Sequence, residues 1–183
     1  MHMRITPLDS PAEHAAAELK QHSGLVSAYA LRPMDQQQPV LVSVWETAAY
    51  ADQTAVTAGG RNYDDTRFQD CDTTDAPPSY AQLVYFDGSR SQAEADAIER
   101  ANERIAPAVR AIPGNLGAYV GRAHDGSFAV LSLTTSLQAV EDSQRAIMST
   151  ALLPGEDPAL LTGPQRIQLA WVLSAFPATS VAV

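Results

Sequence analysis

The sequence predicts an α+β fold made of two similar halves, and three observations support that prediction. Short runs rich in β-branched and aromatic residues indicate strands, and longer segments with apolar residues at helical spacing indicate helices between them. These elements follow one another in nearly the same order in both halves. When Gly24 is aligned with Gly114, at a constant offset of 90 (114 − 24), five of 12 positions are identical. Together they indicate an internal repeat.

In the first half the pattern is strand, helix, strand, strand, helix. The predicted elements, in chain order, are a strand at Met3–Ile5, a helix from Ser10 to Gly24, strands at Leu25–Leu31 and Val40–Trp45, and a helix over Glu46–Thr57. Ser10 and Glu13 have the spacing of a capping box at the start of the first helix, which Gly24 ends. The Gly59-Gly60 pair ends the second helix.

An acidic stretch at Arg61–Ser79 interrupts the pattern and is predicted to be a linker, because it has many aspartates and few aliphatic residues. The elements that follow are a strand at Tyr80–Phe86, a helix capped by Ser91 and Glu94, strands at Leu116–Val120 and Phe128–Leu133, a helix from Ser136, and a strand at Ile167–Leu173. Pro107 predicts a kink or break in the long helix. The sequence leaves open whether Tyr80–Phe86 is the last strand of the first half or the first of the second.

The repeat extends through the strand pairs of the two halves. The identical pairs are Gly24/Gly114, Ala28/Ala118, Tyr29/Tyr119, Arg32/Arg122 and Asp35/Asp125. Each half then approximates a β-α-β-β-α-β unit, which is the ferredoxin-like arrangement. One such sheet has helices on one face only, so its other face needs a partner. We therefore predict two ferredoxin-like repeats, at 1–75 and 80–183, whose antiparallel sheets form an intramolecular barrel-like sandwich.

Composition excludes several classes of function. The chain has 183 residues, 45% of them apolar, and its 12 Lys and Arg against 21 Asp and Glu give a net charge of −9. This charge disfavours nucleic acid and anionic membrane surfaces as partners. The single cysteine, Cys71, cannot form an intramolecular disulfide, and the N-terminus lacks the apolar segment of a signal peptide. We expect a cytoplasmic protein.

The run Val40–Thr47 ends a predicted strand in Trp45-Glu46-Thr47. This run resembles the strand-to-helix signature of the antibiotic biosynthesis monooxygenase family, and Gly24 with Tyr29–Arg32 resembles that family's preceding strand. The second half departs from it, with Thr134 at the position that corresponds to Trp45. The family typically forms dimers that share an α+β barrel. The resemblance therefore implies that this chain is such a dimer made covalent, as a monomer with pseudo-twofold symmetry or as a homodimer of such chains.

The resemblance also allows the catalytic residues of two groups of enzymes in this family to be compared with this sequence. Haem-degrading relatives use an Asn on the first strand, a second Trp after the Trp-Glu motif and a later His, and none of these matches here. Cofactor-independent oxygenases of the family bind polycyclic phenols among aromatic and polar side chains in the barrel. The resemblance thus implies oxidation of a small aromatic or polyketide-type compound, with no cofactor. The alternative is a non-catalytic ligand-binding or stress-responsive barrel.

No residue matches a catalytic pattern, and the histidines show no metal-binding spacing, so no metal site is predicted. Strand alternation and aromatic chemistry give five candidates for a ligand pocket: Tyr29, Trp45, Tyr85, Tyr119 and Trp171. Arg32 and Arg122, at strand ends, are expected to be solvated. A catalytic barrel requires a cavity of roughly 300 Å³ or more, which we expect to touch Tyr29, Trp45 or Tyr119.

Overall fold

A computed structural model describes residues 1–9, 12–71 and 76–177, which form a mixed α+β structure. The elements in these residues are β1 (His2–Pro7), α1 (Ala12–Leu19), β2 (Leu25–Pro33), β3 (Val40–Trp45), α2 (Ala48–Ala51), β4 (Arg61–Tyr63), β5 (Asp65–Gln69), β6 (Tyr80–Phe86), α3 (Gln92–Arg110), β7 (Asn115–Arg122), β8 (Phe128–Thr134), α4 (Leu137–Ser149) and β9 (Arg166–Phe176). The capping box predicted at Ser10 lies outside the described residues.

The nine strands of the described residues form one antiparallel sheet in the order β4-β1-β3-β2-β9-β6-β8-β7-β5. Its two end strands, β4 and β5, are consecutive in the chain and separated only by Asp64. The Thr66 N–H donates to the Met1 carbonyl over 3.1 Å, and the Thr66 hydroxyl accepts from the Met3 N–H over 3.1 Å. The sheet therefore nearly closes into a barrel, and the α+β class predicted from the sequence is confirmed.

Buried apolar residues form two clusters on opposite faces of the sheet. The first fills the barrel interior and includes Met3, Leu31 and Leu83. The second lies between the sheet and α1 and includes Leu19 and Trp45. This division follows strand alternation, because successive side chains point to opposite faces. The interior is thus mainly a packed core.

A bulge in β2 shifts the predicted alternation. Alternation predicts Leu25 on the same face as Tyr29, but the pairing with β3 slips between Leu25 and Ser27. Leu25 consequently packs with the outer cluster, whereas Val26 and Tyr29 pack with the interior. Because a bulge inserts one extra residue, the side chains before it point to the opposite face of the sheet from the one that simple alternation predicts.

The prediction that Arg61–Ser79 is a linker is wrong for its first part, since β4 and β5 lie there. In these strands Tyr63 and Thr66 are buried, while Asp65 and Arg67 are exposed. Asp65 and Arg67 thus occupy the outer face of β5, and composition alone does not distinguish such a short strand from a solvated loop. Tyr80–Phe86, whose place the sequence left open, pairs with β8 and β9.

Two helix predictions also change. The helix predicted over Glu46–Thr57 is limited to α2, and a separate 3-10 turn follows at Ala55–Thr57. Thr54 divides them, because its backbone is extended and its hydroxyl accepts from the Val56 N–H. Pro107 does not break α3, which continues to Arg110. Pro107 lies in the last turn of α3. The backbone hydrogen bond that a proline cannot donate is therefore lost near the end of the helix, where few residues follow.

The other predicted cap is confirmed. Ser91 and Glu94 form both hydrogen bonds of a capping box at the start of α3, and these bonds hold the pKa of Glu94 below its usual value. No helix within the described residues is long and apolar enough to cross a membrane.

Arg4 holds the segment after β3 against the outside of the sheet. Its side chain is only 6% exposed. The guanidinium donates to the Ala51 carbonyl over 2.9 Å, to the Thr57 hydroxyl over 3.3 Å and to the Asn62 side chain over 2.5 Å. It also forms an ion pair with Asp52. One side chain on β1 therefore fixes α2, the 3-10 turn and β4 together.

Candidate functional site

One end of the barrel contains a cavity of about 510 Å³, which we call the mouth pocket. It lies where β1 ends and where β3, β4 and β9 begin, beneath the loop between β2 and β3. The residues that line it are Ile5, Pro7, Gln37, Gln38, Val40, Gly59, Arg61, Tyr63, Tyr85, Arg166 and Gln168. Its volume is in the range of small-molecule sites.

Two arginines give the mouth pocket positive charge, but their surroundings differ. The Arg61 guanidinium donates to Asp87 over 3.0 Å, to Asp125 over 2.9 Å and to the Ser127 hydroxyl over 2.6 Å. The Arg166 guanidinium lies 3.8 Å from the centre of the Tyr85 ring. Arg61 is thus neutralised by its own ion pairs, whereas the charge of Arg166 faces an aromatic ring.

Tyr63 and Tyr85 line the pocket, and each carries a phenolic hydroxyl. Burial raises the pKa of Tyr63 to about 12, although the nearby Arg61 opposes the rise. Burial also raises the pKa of Tyr85, against the effect of Arg166. Both phenols therefore stay protonated at neutral pH and can donate a hydrogen bond to a ligand oxygen.

Gln168 is the buried polar side chain of the pocket. It is only 3% exposed, and its Nε2 donates to the Gln37 Oε1 over 3.2 Å. Its Oε1 is buried without a hydrogen-bond partner among the described residues. Rotating the amide exchanges donor and acceptor but still leaves one end unpaired. A buried polar atom without a partner costs free energy unless a ligand or water satisfies it.

Of the five aromatic residues predicted as pocket candidates, Tyr85 lines the mouth pocket. Tyr29 and Tyr119 lie in the interior core one layer further along, because Tyr29 pairs with Val42 whereas the pocket ends at Val40. Their ring centroids are 6.1 Å apart, and the Ser27 hydroxyl donates to the Tyr119 hydroxyl over 3.0 Å. Burial, followed by the proximity of Tyr119, raises the pKa of Tyr29 far above its usual value. These two tyrosines fill space that a deeper ligand would need.

Neither tryptophan faces the mouth pocket. Trp45 is fully buried in the outer cluster, where its Nε1 donates to the Ser43 hydroxyl over 2.9 Å. Trp171 is 37% exposed on the outside of the sheet, with the Arg32 guanidinium 5.0 Å from its ring centroid. The cavity thus exceeds the expected minimum volume but touches none of Tyr29, Trp45 and Tyr119.

Sequence reasoning missed Arg61, Tyr63, Arg166 and Gln168. The first two lie on β4, inside the stretch predicted to be a linker. A strand of three residues is too short for the alternation of buried and exposed side chains to indicate it. Gln168 gave a usable signal, because it is a polar residue at an interior position of a strand whose next interior residue is Ala170. Within the described residues, no group of three or more His, Cys, Asp or Glu side chains is arranged to hold a metal ion.

Replacing Tyr119 with phenylalanine is expected to destabilise the protein by about 1 kcal/mol, because the buried Ser27 hydroxyl loses its acceptor. Urea unfolding measures this loss. Ligand affinity at the mouth pocket is expected to be unchanged, unlike that of Tyr85→Phe, whose hydroxyl is at the pocket. A reduced affinity in Tyr119→Phe would contradict the assignment of this tyrosine to the core.

The nearly closed antiparallel sheet with packed helices is the fold of monooxygenase-like α+β barrels. A candidate monooxygenase from Fusobacterium nucleatum superposes with a TM-score of 0.65 at 9% identity, over 98% of this chain and 94% of that one. An anthrone oxidase-like protein superposes with a TM-score of 0.55 at 13% identity, over 100% and 95% of the two chains. A major regulator of staphylococcal pathogenesis superposes with a TM-score of 0.64 at 9% identity, over 95% of this chain and 100% of that one.

No protein-family model and no curated protein matches this sequence. The similarity to solved structures, at identities of 9–13%, therefore shows the fold alone. Proteins of this fold include a candidate monooxygenase and a regulator, so the activity has to be inferred from the pocket.

Proposed function

We propose that this protein binds a small aromatic compound in the mouth pocket and oxidises it with O₂ without a cofactor. The observation that carries the proposal is a cavity of about 510 Å³ in which two tyrosine hydroxyls and two arginines surround apolar Ile5 and Val40. Such a lining suits a flat apolar ring that bears oxygen atoms. The fold shared with a candidate monooxygenase and an anthrone oxidase-like protein supports this reaction class.

The reaction we propose converts a ring CH₂ group into a carbonyl. A C–H proton leaves the substrate, and the resulting carbanion adds O₂ and takes up a proton to form a hydroperoxide. Loss of water gives the carbonyl, so one oxygen atom enters the product and the other leaves as water. Arg166, whose guanidinium is not paired with a carboxylate of the described residues, would stabilise the negative charge that develops on the substrate oxygen when the proton leaves.

A second candidate is non-catalytic binding, and one observation favours it. The lining, all of it within the described residues, contains no Asp, Glu or His that would accept the substrate proton. In the oxidation mechanism water must therefore take this proton. Both arginines of the pocket are exposed, which gives water access to the bound ligand.

Aerobic incubation with anthrone, without added cofactor, tests the proposal, because anthrone has the ring CH₂ group that the proposed reaction converts into a carbonyl. We expect binding by calorimetry, O₂ consumption above the uncatalysed rate, and an affinity about threefold to tenfold weaker in Tyr63→Phe and Tyr85→Phe, because each loses one hydrogen bond to the ligand. Tyr29→Phe is the matched control, since that hydroxyl lies in the core. Binding without turnover would support the non-catalytic candidate, and absence of binding would contradict both.

We also propose that residues 1–75 and 80–183 are two ferredoxin-like repeats. Strands β1 to β4 are ordered β4-β1-β3-β2, and the corresponding strands of the second half are ordered β9-β6-β8-β7. Tyr29 and Tyr119, which the repeat alignment makes equivalent, face each other with ring centroids 6.1 Å apart. Such an encounter is expected of equivalent residues near a pseudo-twofold axis.

A further inference from the structure

The charge of the mouth pocket departs from that of the whole chain. The chain has a net charge of −9, yet the lining contains two arginines and no carboxylate. Arg61 is occupied by Asp87 and Asp125. The Arg166 guanidinium makes no ion pair and no hydrogen bond with any residue that the structure describes, and it lies against the face of the Tyr85 ring. Stacking leaves the N–H groups at the edge of a guanidinium available to a carboxylate.

A second unsatisfied group lies beside it on the same strand. Gln168 follows Arg166 by two residues on β9, so both side chains lie on the pocket side of the sheet. The buried Gln168 Oε1 has no hydrogen-bond partner in the part of the chain that the structure describes. An unpaired cation and an unpaired acceptor are thus adjacent in one cavity, and a ligand with an anion and a hydroxyl would satisfy both.

The placement of these residues suits a ligand of one ring. Their Cα atoms are separated by roughly 6.7 Å along the strand, and both side chains line the same pocket. A benzene ring with a carboxylate and a hydroxyl at opposite positions has a similar length and presents one group to each side chain. The rings of Tyr63 and Tyr85 and the apolar side chains of Ile5 and Val40 line the space around such a ring.

We infer that the mouth pocket selects aromatic hydroxy acids, with Arg166 binding the carboxylate and Gln168 accepting the hydrogen bond of the hydroxyl. The inference rests on the proposed function, because it names the ligand class of the same pocket. Arg166 and Gln168 are specificity residues in this assignment and take no part in proton or electron transfer.

Calorimetric titration of the full chain with three probes tests the inference: 4-hydroxybenzoate, 4-hydroxybenzamide and benzoate. We expect 4-hydroxybenzoate to bind about tenfold more tightly than the amide, because only the acid pairs with Arg166. In Arg166→Gln we expect the ratio of the affinities for the acid and the amide to fall to about one. Gln168→Leu is expected to remove the preference for 4-hydroxybenzoate over benzoate, which we place at about fivefold in the parent.

Arg32→Gln is the matched control. Arg32 also stacks on an aromatic ring, that of Trp171, but on the outside of the barrel. We expect it to leave all three affinities unchanged. Thermal unfolding followed by circular dichroism checks that each variant is folded.

Equal binding of the acid and the amide by the parent chain would overturn the inference. The inference would also be overturned if Arg166→Gln weakened the binding of the acid and of the amide by the same factor. A loss of the preference for the acid in Arg32→Gln would overturn it as well. If anthrone binds and is oxidised but the acid is not preferred over the amide, the inference fails and the proposed function stands. If no aromatic probe binds, both fail.

Discussion

Replacing Trp45 with alanine is expected to lower the free energy of unfolding by about 3–5 kcal/mol. Trp45 has no exposed surface and is the largest fully buried side chain of the described residues. It packs in the cluster between the sheet and α1, close to the ring of His22. Truncation leaves a large cavity and also removes the donor to the Ser43 hydroxyl. Urea unfolding followed by far-ultraviolet circular dichroism measures the loss without relying on tryptophan fluorescence.

Trp171→Ala is the matched control for this prediction. Trp171 is 37% exposed, and its contact with Arg32 is a surface cation–π pair. We expect a loss of less than about 1 kcal/mol. Similar losses in the two variants would show that Trp45 does not anchor the outer cluster.

Replacing Arg4 with methionine is expected to destabilise the protein by about 2–4 kcal/mol. Methionine keeps the apolar stem but removes every donor, so the Ala51 carbonyl and the Thr57 hydroxyl lose hydrogen bonds in a buried environment. The segment between β3 and β4 then loses its attachment to β1. Because β4 carries Arg61 and Tyr63, the same variant is expected to weaken ligand binding at the mouth pocket.

Arg67→Met is the control for the Arg4 prediction. Arg67 forms ion pairs with Asp65 and Glu99, but its side chain is 68% exposed. Exposed pairs contribute little, so we expect a change within about 0.5 kcal/mol. Arg4→Lys separates charge from geometry, because lysine keeps the charge but lacks the planar fork that reaches several acceptors. A stability of Arg4→Met equal to the parent would contradict the structural role of this residue.

Most strands were predictable because their burial patterns are local. The hairpin of β2 and β3 and that of β7 and β8 have alternating or continuous apolar runs bounded by turn residues, and both are confirmed. β4 and β5 were not predicted, because they are short and contain few apolar residues. In such strands only a few residues are buried, and the acidic composition outweighs the pattern.

Of the residues that line the mouth pocket, the sequence pointed to Tyr85 and to none of the others. Trp45 shows why. Strand β3 is apolar on both faces, so alternation separates Val44 from Trp45 but does not say which of them faces the interior. The answer depends on where α1 packs, which is a long-range property.

The sequence by itself determined the α+β class, the order of most elements and the likeness of the two strand pairs, because each depends on neighbours along the chain. The tertiary structure alone decided how the halves meet, through the pairing of β2 with β9 and of β5 with β7. It also decided where the cavity lies. The mouth pocket takes residues from β1, β3, β4, β6 and β9 and from two connecting segments, and no local pattern indicates that these ends converge. Strand pairing across long stretches of chain brings Arg166, Gln168 and Tyr63 together.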